Sequence, residues 1–532
     1  MGVPAFFSFI VKNHSNIIRK LTKNTLKINN LYFDANSIIY DTVRTIDFTN
    51  LDDSEVNCII KSVFKKIDEY INLIEPNNII YIGFDGTCPR AKLEQQRSRR
   101  YKSTYQTSIS KTIFKDAKPD PFNTTAITPG TIFMNTLTVQ LNKYYNDPKK
   151  YNVKNIILSS SDKFGEAEHK IFQFIRTNVD YHKEMKTVIY GLDADLIMLC
   201  INHLPICPHI YLFRETPEFI KSISSELEPN ETYLMDIPEL AKIITLDMNN
   251  GAELTTDQQK NRLYDYIFLC FFLGNDFMPH FPAINIRTGG IDKMLNAYKA
   301  TIGNTNDNLT NGKTIYWKNV RKMVKFLSEY EEGHLKTEMK LRDKRSKFFY
   351  PTDTPENTFK KFEAVPNYER ELEKYINPYK DNWEQRYYKS LFNVDIDDTI
   401  KQQICLNYLE GLEWTMKYYT TGCPDWKWLY KYNYPPLLSD LIHYIPYFET
   451  EFIENKPASP VSELVQLCYV LPRQSLKLLP EKLSKSLIKH HSDWYKTDCE
   501  FAWSFCRYFW EAHVLLPEID IEELEKFVNE NK

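Results

Sequence analysis

The chain has 532 residues, 67 Lys and Arg against 70 Asp and Glu, a net charge of −3 and 42% hydrophobic residues. That length exceeds one simple domain and allows a large core, while the near-zero charge means that any polyanion must be held by a local patch rather than a global field. No apolar run reaches the ~18 residues of a membrane span, and the ten Cys contain no CxxC pair, which points to free thiols in a reducing compartment.

The opening "MGVPAFFSFI" is apolar but lacks the basic leader and small-residue cleavage site of a signal peptide. Phe6 stands where a myristoylation motif needs Ser or Thr. Four short β-prone runs follow, each ending at acid-bearing turns: "LYFDAN" at Asp34, "IIYIGFDG" at Asp85, "NIILSSSDKFGEAE" at Glu166 and Glu168, and "TVIYGLDADL" at Asp193 and Asp195. Helix-like stretches separate them, notably "EVNCIIKSVFKKIDEYINLI" and "EHKIFQFIRTN". Strands alternating with helices predict an α/β fold with a doubly wound, mainly parallel sheet. Sites in such sheets form at the carboxyl ends of the strands, where these acids fall.

The segment "CINHLPICPH" groups Cys200, His203, Cys207 and His209, but the spacing matches no common zinc finger and reads as a loop between two strands. From about Ala300 the texture turns polar and Lys-rich, which reads as a connecting or inserted segment over 300–367. Within it "KLRDKRSK" reads as a solvated loop. Residues 368–532 look mainly helical, so the expected organisation is a core at 1–299, the polar segment, and a helical second region.

Asp34, Asp85, Glu166, Glu168, Asp193, Asp195 and Asp276 (in "FLGNDFMPH") form the candidate catalytic and metal-binding set. A single acid after a strand ordinarily caps the next helix. A gathering of seven is different, because two carboxylates 4 Å apart repel by about 4 kcal/mol at an effective dielectric of 20. Cations must offset that repulsion. Oxygen-only ligands favour Mg²⁺ or Mn²⁺ over zinc, and a pair of such ions suits phosphodiester hydrolysis. Directly behind Asp85, the stretch from Arg90 to Lys102 carries six Lys and Arg and one acid, Glu94. If it is helical, Lys92, Gln96, Arg99 and Arg100 fall at i, i+4, i+7 and i+8 on one face, a surface able to hold a phosphate.

These residues resemble the XRN family of 5′→3′ exoribonucleases. The resemblance rests on "MGVPAFF", "FDANSIIY", "DGTCPRAKLEQQRSRR", "ITPGTIFM", "FGEAEHK", "YGLDADLIML" and "GNDFMPHFP". In the second half it continues in "YLEGLEWTMKYYTTGCPDWKWLYKYNYPPLLSDL", "VLPRQSLKLLP" and "WEAHVLLPEID". It implies a PIN/FEN-like nuclease core completed by the helical second region. It also implies metal ligation by all seven acids and a pocket for the 5′-monophosphate of single-stranded RNA formed by Lys92, Gln96, Arg99 and Arg100. Pro89 matches the family proline that crowds the path of a duplex. The family stacks the first base between a His after the first Asp and an aromatic of the second region; here the His position is Tyr40, and the aromatic is Trp426 or Trp428. The family's "PGEGEHK" departs at Phe164 and Ala167, with acids and spacing retained.

The expected activity is processive 5′→3′ exoribonuclease action. A flap endonuclease-like DNA enzyme is the nearest alternative, but it would carry a Gly-rich GxGxK element after the last acid, and "GNDFMPHFPAINIRTGG" has none. A catalytically dead RNA-binding scaffold would have lost metal acids, and all seven are present. With no targeting signal recognised, the expected location is cytoplasmic, with the nucleus as the alternative. The sequence names no protein partner. The abundance of Asn, Ile, Lys and Tyr suits an AT-rich genome.

Overall fold

Runs of β-branched and aromatic residues set the central layer. In the computed structural model, which describes residues 5–21, 27–115, 122–395 and 397–531, these runs form one seven-stranded sheet. Its strands are β1 (Ile18–Lys20), β2 (Asn30–Asp34), β3 (Ile79–Gly83), β4 (Asn155–Ser159), β5 (Thr187–Tyr190), β6 (Ile210–Glu215) and β7 (Thr232–Asp236). The order is β1-β7-β6-β5-β2-β3-β4. Strands β6, β5, β2, β3 and β4 run parallel, and β7 and β1 close one edge in antiparallel pairing. All five residues of β2 are buried, as expected of a central parallel strand covered on both faces.

Register decides where the acids emerge. Asp34, the last residue of β2, pairs with Gly83 at the end of β3, and Gly83 pairs with Ser159 at the end of β4. On the other flank, Phe33 of β2 pairs with Tyr190, the last residue of β5. Four neighbouring strands therefore end level, and the loops behind them carry Asp34, Asp85, Glu166 with Glu168, and Asp193 with Asp195. Helix Glu55–Ile74 begins with Ser54, whose side chain accepts from the Asn57 amide, and lays Ile59, Val63, Ile67 and Ile71 against the sheet.

One hydrophobic cluster runs from Phe6 through the helix Asp195–His203 and the helix Thr256–Phe271 to Trp414 and Ile453, so the sheet and the helical region share a core. A smaller cluster joins Cys88 and Leu93 to the helices Glu463–Val470 and Ile521–Glu530. Beyond residue 368 the chain is largely helical, but residues 421–437 form neither helix nor strand, and Glu500–Ala502 pairs with His513–Leu515 as a hairpin.

Two sequence expectations are corrected here. The segment 300–367 is not a loose connection: its centre is the 29-residue helix Trp317–Arg345, which includes all but the last two residues of "KLRDKRSK". Trp317, Val320, Val324 and Leu327 form its buried stripe. Its exposed charged face dominates the composition and hides that stripe. "CINHLPICPH" is also not simply a loop between strands, since Cys200 and His203 end the helix Asp195–His203, every residue of which is buried. A helix buried on all sides has no polar period to distinguish it from a strand.

Candidate active site

The turn after β3 begins the site. Asp85 is clamped by Asn36, whose amide donates to Asp85 Oδ2 at 2.7 Å while its carbonyl accepts from the Asp85 backbone amide at 3.0 Å. The backbone amide of Ala167 donates to Asp85 Oδ1 at 2.8 Å, so the loop after β4 is tied to the turn after β3. Gly86 permits this contact: a Cβ there would lie 1.8 Å from the Lys163 carbonyl oxygen. Lys170 secures the same loop by donating to the carbonyls of Ser160 and Lys163, each at 3.0 Å.

Pro89 is buried and immediately precedes the 25-residue helix Arg90–Phe114, so the basic run is helical. Its first turn sends Lys92 into the acids. The Lys92 ammonium lies 2.5 Å from Glu166 Oε2 and 2.8 Å from Asp276 Oδ2. Asp276 comes from the loop after helix Thr256–Phe271, so one lysine joins the sheet edge to the helices packed beyond it. Tyr418, on the helix Asp398–Thr420, donates to Glu166 Oε1 at 2.7 Å and stacks on His169 with ring centroids 3.7 Å apart.

The structure brings all seven acids into one connected cluster. Burial, followed by Asp85 and Asp193, pushes Asp34 well above the usual carboxylate range. Burial and then Glu166 and Asp34 do the same to Glu168. Burial and Asp276 push Asp195 up to about 7. Burial acts to raise Asp276 as well, but its contact with Lys92 holds it below the usual range. Glu166 touches the same ammonium and is nevertheless raised, because burial outweighs Lys92 and Asp85 stands beside it. One ammonium does not neutralise the cluster.

Those residues fit a cation site. Carboxylate oxygens of Asp34, Asp85 and Glu168 lie within 4.8 Å of one another, as do ligand atoms of Glu166, Glu168 and His169. A pH-dependent stability follows. An acid whose pKa is raised by folding holds its proton more tightly when folded, so its stabilising contribution is present at low pH. That contribution is lost as pH rises from the ordinary value near 4 towards the raised one. With Asp195 raised to about 7, the chelated protein is expected to lose thermal stability between about pH 4 and 7 through this cluster. Added Mg²⁺ or Mn²⁺ should remove that loss. Melting curves at pH 5.5 and 7.5, with EDTA or with the cation, check it; curves indifferent to the cation at both pH values contradict it.

The phosphate-binding face expected from sequence is split in the structure. Lys92 belongs to the acid cluster. Gln96 is buried, its amide donating to Cys88 Sγ at 3.5 Å. Arg100 donates to Thr128 Oγ1 at 2.7 Å, keeps its other terminal nitrogen buried without a partner, and has Tyr40 as an electrostatic neighbour. Arg99 is exposed and lines a cavity beside Asp276. Thr128 belongs to "ITPG", whose Gly130 has φ +87° and packs where a Cβ would meet Glu463 Cβ at 2.8 Å.

The two tryptophans separate clearly. Trp428 is a core ring, stacked on Trp414 at 5.2 Å and donating from Nε1 to Glu410 Oε2 at 3.2 Å. Trp426 is as buried as Trp428, each 8% exposed, but lies outside the core cluster that holds Trp428. Its carbonyl accepts from the Arg90 amide at 2.9 Å, and its ring meets the half-exposed Phe164 edge-on at 5.4 Å. Asn36, Thr128, His169 and Tyr418 were not singled out from the sequence. Their signals were present in "FDANS", "ITPG", "GEAEH" and "MKYYT", but an Asn, Thr, His or Tyr has no chemistry to announce until its partner is known.

The comparisons with known proteins bear on the whole chain. The family model described as XRN 5′-3′ exonuclease N-terminus matches residues 1–216, and the model described as Xrn1 helical domain matches residues 257–365 and 352–531. The 5′-3′ exoribonuclease 2 homolog of Drosophila melanogaster is 26% identical over 99% of this chain and 70% of its own length. The 5′-3′ exoribonuclease 1 of Saccharomyces cerevisiae is 27% identical over 98% of this chain and 43% of its own. A solved structure of the catalytic core of Rad2 in complex with DNA substrate aligns with a TM-score of 0.31 and 13% identity, over 79% of this chain and 95% of that one. Because the two family models together take in both the acid-bearing sheet and the helices that close over it, the chain belongs to the XRN 5′-3′ exonuclease family.

Proposed function

We propose that this chain is a processive 5′→3′ exoribonuclease that acts on single-stranded RNA bearing a 5′-monophosphate and releases nucleoside 5′-monophosphates. The observation that carries this reading is the convergence of six acids from four strand ends, and Asp276 from the loop after helix Thr256–Phe271, around Lys92 at the head of a basic helix. The 5′-3′ exoribonucleases among its relatives support the direction and the RNA substrate of this reading. Asp34, Asp85, Glu166, Glu168, Asp193, Asp195 and Asp276 would hold two divalent cations, Mg²⁺ or Mn²⁺. When bound, such ions activate water and offset charge on the leaving oxygen.

The chain's own groups do the rest. Lys92 and Tyr418 hold Glu166 from two sides, Asn36 orients Asp85, and the guanidiniums of Arg99 and Arg100 meet the terminal phosphate with Gln96 beside them. Tyr40 and Trp426 offer the faces for the first base, and buried Pro89 keeps the approach too narrow for a duplex. The test is digestion of one RNA prepared with a 5′-monophosphate, a 5′-hydroxyl or a cap, in Mg²⁺ or EDTA. Cleavage confined to the monophosphate RNA and to Mg²⁺ is expected; cleavage in EDTA, or of internal bonds first, overturns the reading.

The aromatic assignment has its own check. Trp426→Ala is expected to slow degradation roughly tenfold to a hundredfold, the equivalent of a lost base stack of ~1–3 kcal/mol, beyond the stability that the loss of a buried ring costs. Trp428→Ala is expected to destabilise the fold by ~3–5 kcal/mol through the void it leaves against Trp414. A larger loss of activity in folded Trp428→Ala than in folded Trp426→Ala would reverse the two roles.

A further inference from the structure

Beside Asp276, on the face of the basic helix next to Lys92, lies a cavity of about 410 Å³. Gln95, Arg99 and Lys102, at i, i+4 and i+7 of that helix, form one wall. The opposite wall is the hairpin-linked segment around Trp510 together with Arg287. Trp510 and Tyr508 lie nearly parallel, 11° apart with centroids at 6.0 Å, and the Arg287 guanidinium sits 5.5 Å from the Trp510 ring and 5.8 Å from the Tyr508 ring. The wall thus joins a flat indole to a guanidinium held in an ion pair with Glu511. Exposed Asn433 and part-exposed Trp510 connect it to solvent.

The charge balance favours an anion. Arg287 is paired with Glu511, Glu94 takes the Tyr469 hydroxyl, and Asp276 takes Lys92. Arg99 makes no hydrogen bond or ion pair with another described residue, and Lys102 donates only to the Ala512 carbonyl, at 2.6 Å. Arg99 acts on Asp193 and Asp276 and Lys102 on Glu511 only from beyond ion-pair distance, so neither is held by a direct salt bridge in a cavity whose volume is in the range of small-molecule sites, against the wall that holds Asp276.

We propose that this cavity is a binding site for the nucleoside 5′-monophosphate product and its route out of the enzyme. The proposal rests on the exonuclease reading above. Hydrolysis breaks the bond from phosphorus to the 3′-oxygen of the first nucleotide and adds water. The released unit keeps its old 5′-phosphate and gains a 3′-hydroxyl, while the shortened RNA keeps the new 5′-phosphate. In a processive enzyme that RNA still fills the entry side, so the monomer needs a second opening. Arg99 stands between the two faces and can pass the phosphate from one to the other. Lys102 receives the phosphate, and Trp510 receives the base.

The test uses the full chain with AMP, UMP and inorganic phosphate as probes, first in EDTA by tryptophan fluorescence and calorimetry. Wild type is expected to bind both nucleotides more tightly than phosphate, and Trp510→Ala is expected to weaken them roughly tenfold to a hundredfold. Lys102→Met should weaken all three ligands. Asn433→Trp, a surface change that fills the opening, covers the case in which a buried substitution fails to fold. On 5′-monophosphate RNA in Mg²⁺, Trp510→Ala and Asn433→Trp should cut the first nucleotide at the wild-type rate but turn over more slowly afterwards. Nucleotide binding indifferent to all three substitutions, phosphate bound as tightly as AMP, or loss of the first cut itself would each overturn the proposal. Failure of wild type to cut RNA would instead sink the exonuclease reading and leave the nucleotide-binding result standing.

Discussion

Asp193→Ala and Glu166→Ala are each expected to abolish cleavage of 5′-monophosphate RNA in Mg²⁺ while RNA binding persists. The two acids occupy different environments, which makes the pair informative. Asp193 is exposed at the end of the loop after β5, so its removal leaves the core untouched. Glu166 is buried and held by Lys92 and Tyr418, so its removal also unpairs the lysine. Metal-assisted stabilisation of charge in the transition state amounts to several kcal/mol. At ~1.4 kcal/mol per factor of ten, its loss slows the reaction on the order of a thousandfold or more. Binding should survive because the basic helix and the aromatic rings hold the RNA by other means. Filter binding in Ca²⁺ or EDTA and a single-turnover assay in Mg²⁺ separate the two effects. A near wild-type rate for Asp193→Ala in Mg²⁺ would remove Asp193 from the site.

Arg99→Ala and Arg100→Ala are expected to weaken discrimination between 5′-monophosphate and 5′-hydroxyl RNA, each by about 1.5–3 kcal/mol. That is roughly tenfold to a hundredfold in relative rate. A monophosphate is small, doubly charged and rich in acceptors, and a hydroxyl end has no group for these guanidiniums to hold. Arg100 already has one terminal nitrogen on Thr128 and the other buried without a partner, so it is oriented before a ligand arrives. Arg99 is exposed beside Asp276 and must be ordered on binding. The larger penalty is therefore expected at Arg100. The metal-dependent cut of any RNA that does bind should remain. Equal wild-type rates on the two RNA ends would refute this role for the basic run even if the acidic cluster proved catalytic.

Local signals were enough for much of the architecture. Alternating β-prone runs and amphipathic stretches announced the parallel sheet, and the run "EVNCIIKSVFKKIDEYINLI" is the helix Glu55–Ile74 residue for residue. Acids placed just after such runs sit at strand carboxyl ends for a reason internal to the fold class, which is why six of the seven could be placed in advance, while Asp276 follows the helix Thr256–Phe271. The basic run, whose helicity the sequence left as a condition, is the helix Arg90–Phe114.

Other features depend on partners distant in sequence. Lys92 reads as one member of a phosphate-binding face, but Glu166 and Asp276, 74 and 184 residues away, draw it into the acid cluster. Trp426 and Trp428 are indistinguishable by spacing alone. Only packing decides that one stacks on Trp414 inside the core cluster while the other turns to Phe164 outside it. The helix Trp317–Arg345 looked like a polar connection because composition counts its exposed face and its buried face together. What the sequence alone determined is the class of sheet, the ends of the four acid-bearing strands among its seven and the kind of chemistry expected there, since period and residue type are local properties. Which charges pair, which ring lies outside the core cluster and where a cavity opens beside Asp276 were decided by the tertiary structure, because each depends on the distance between residues that the chain brings together only on folding.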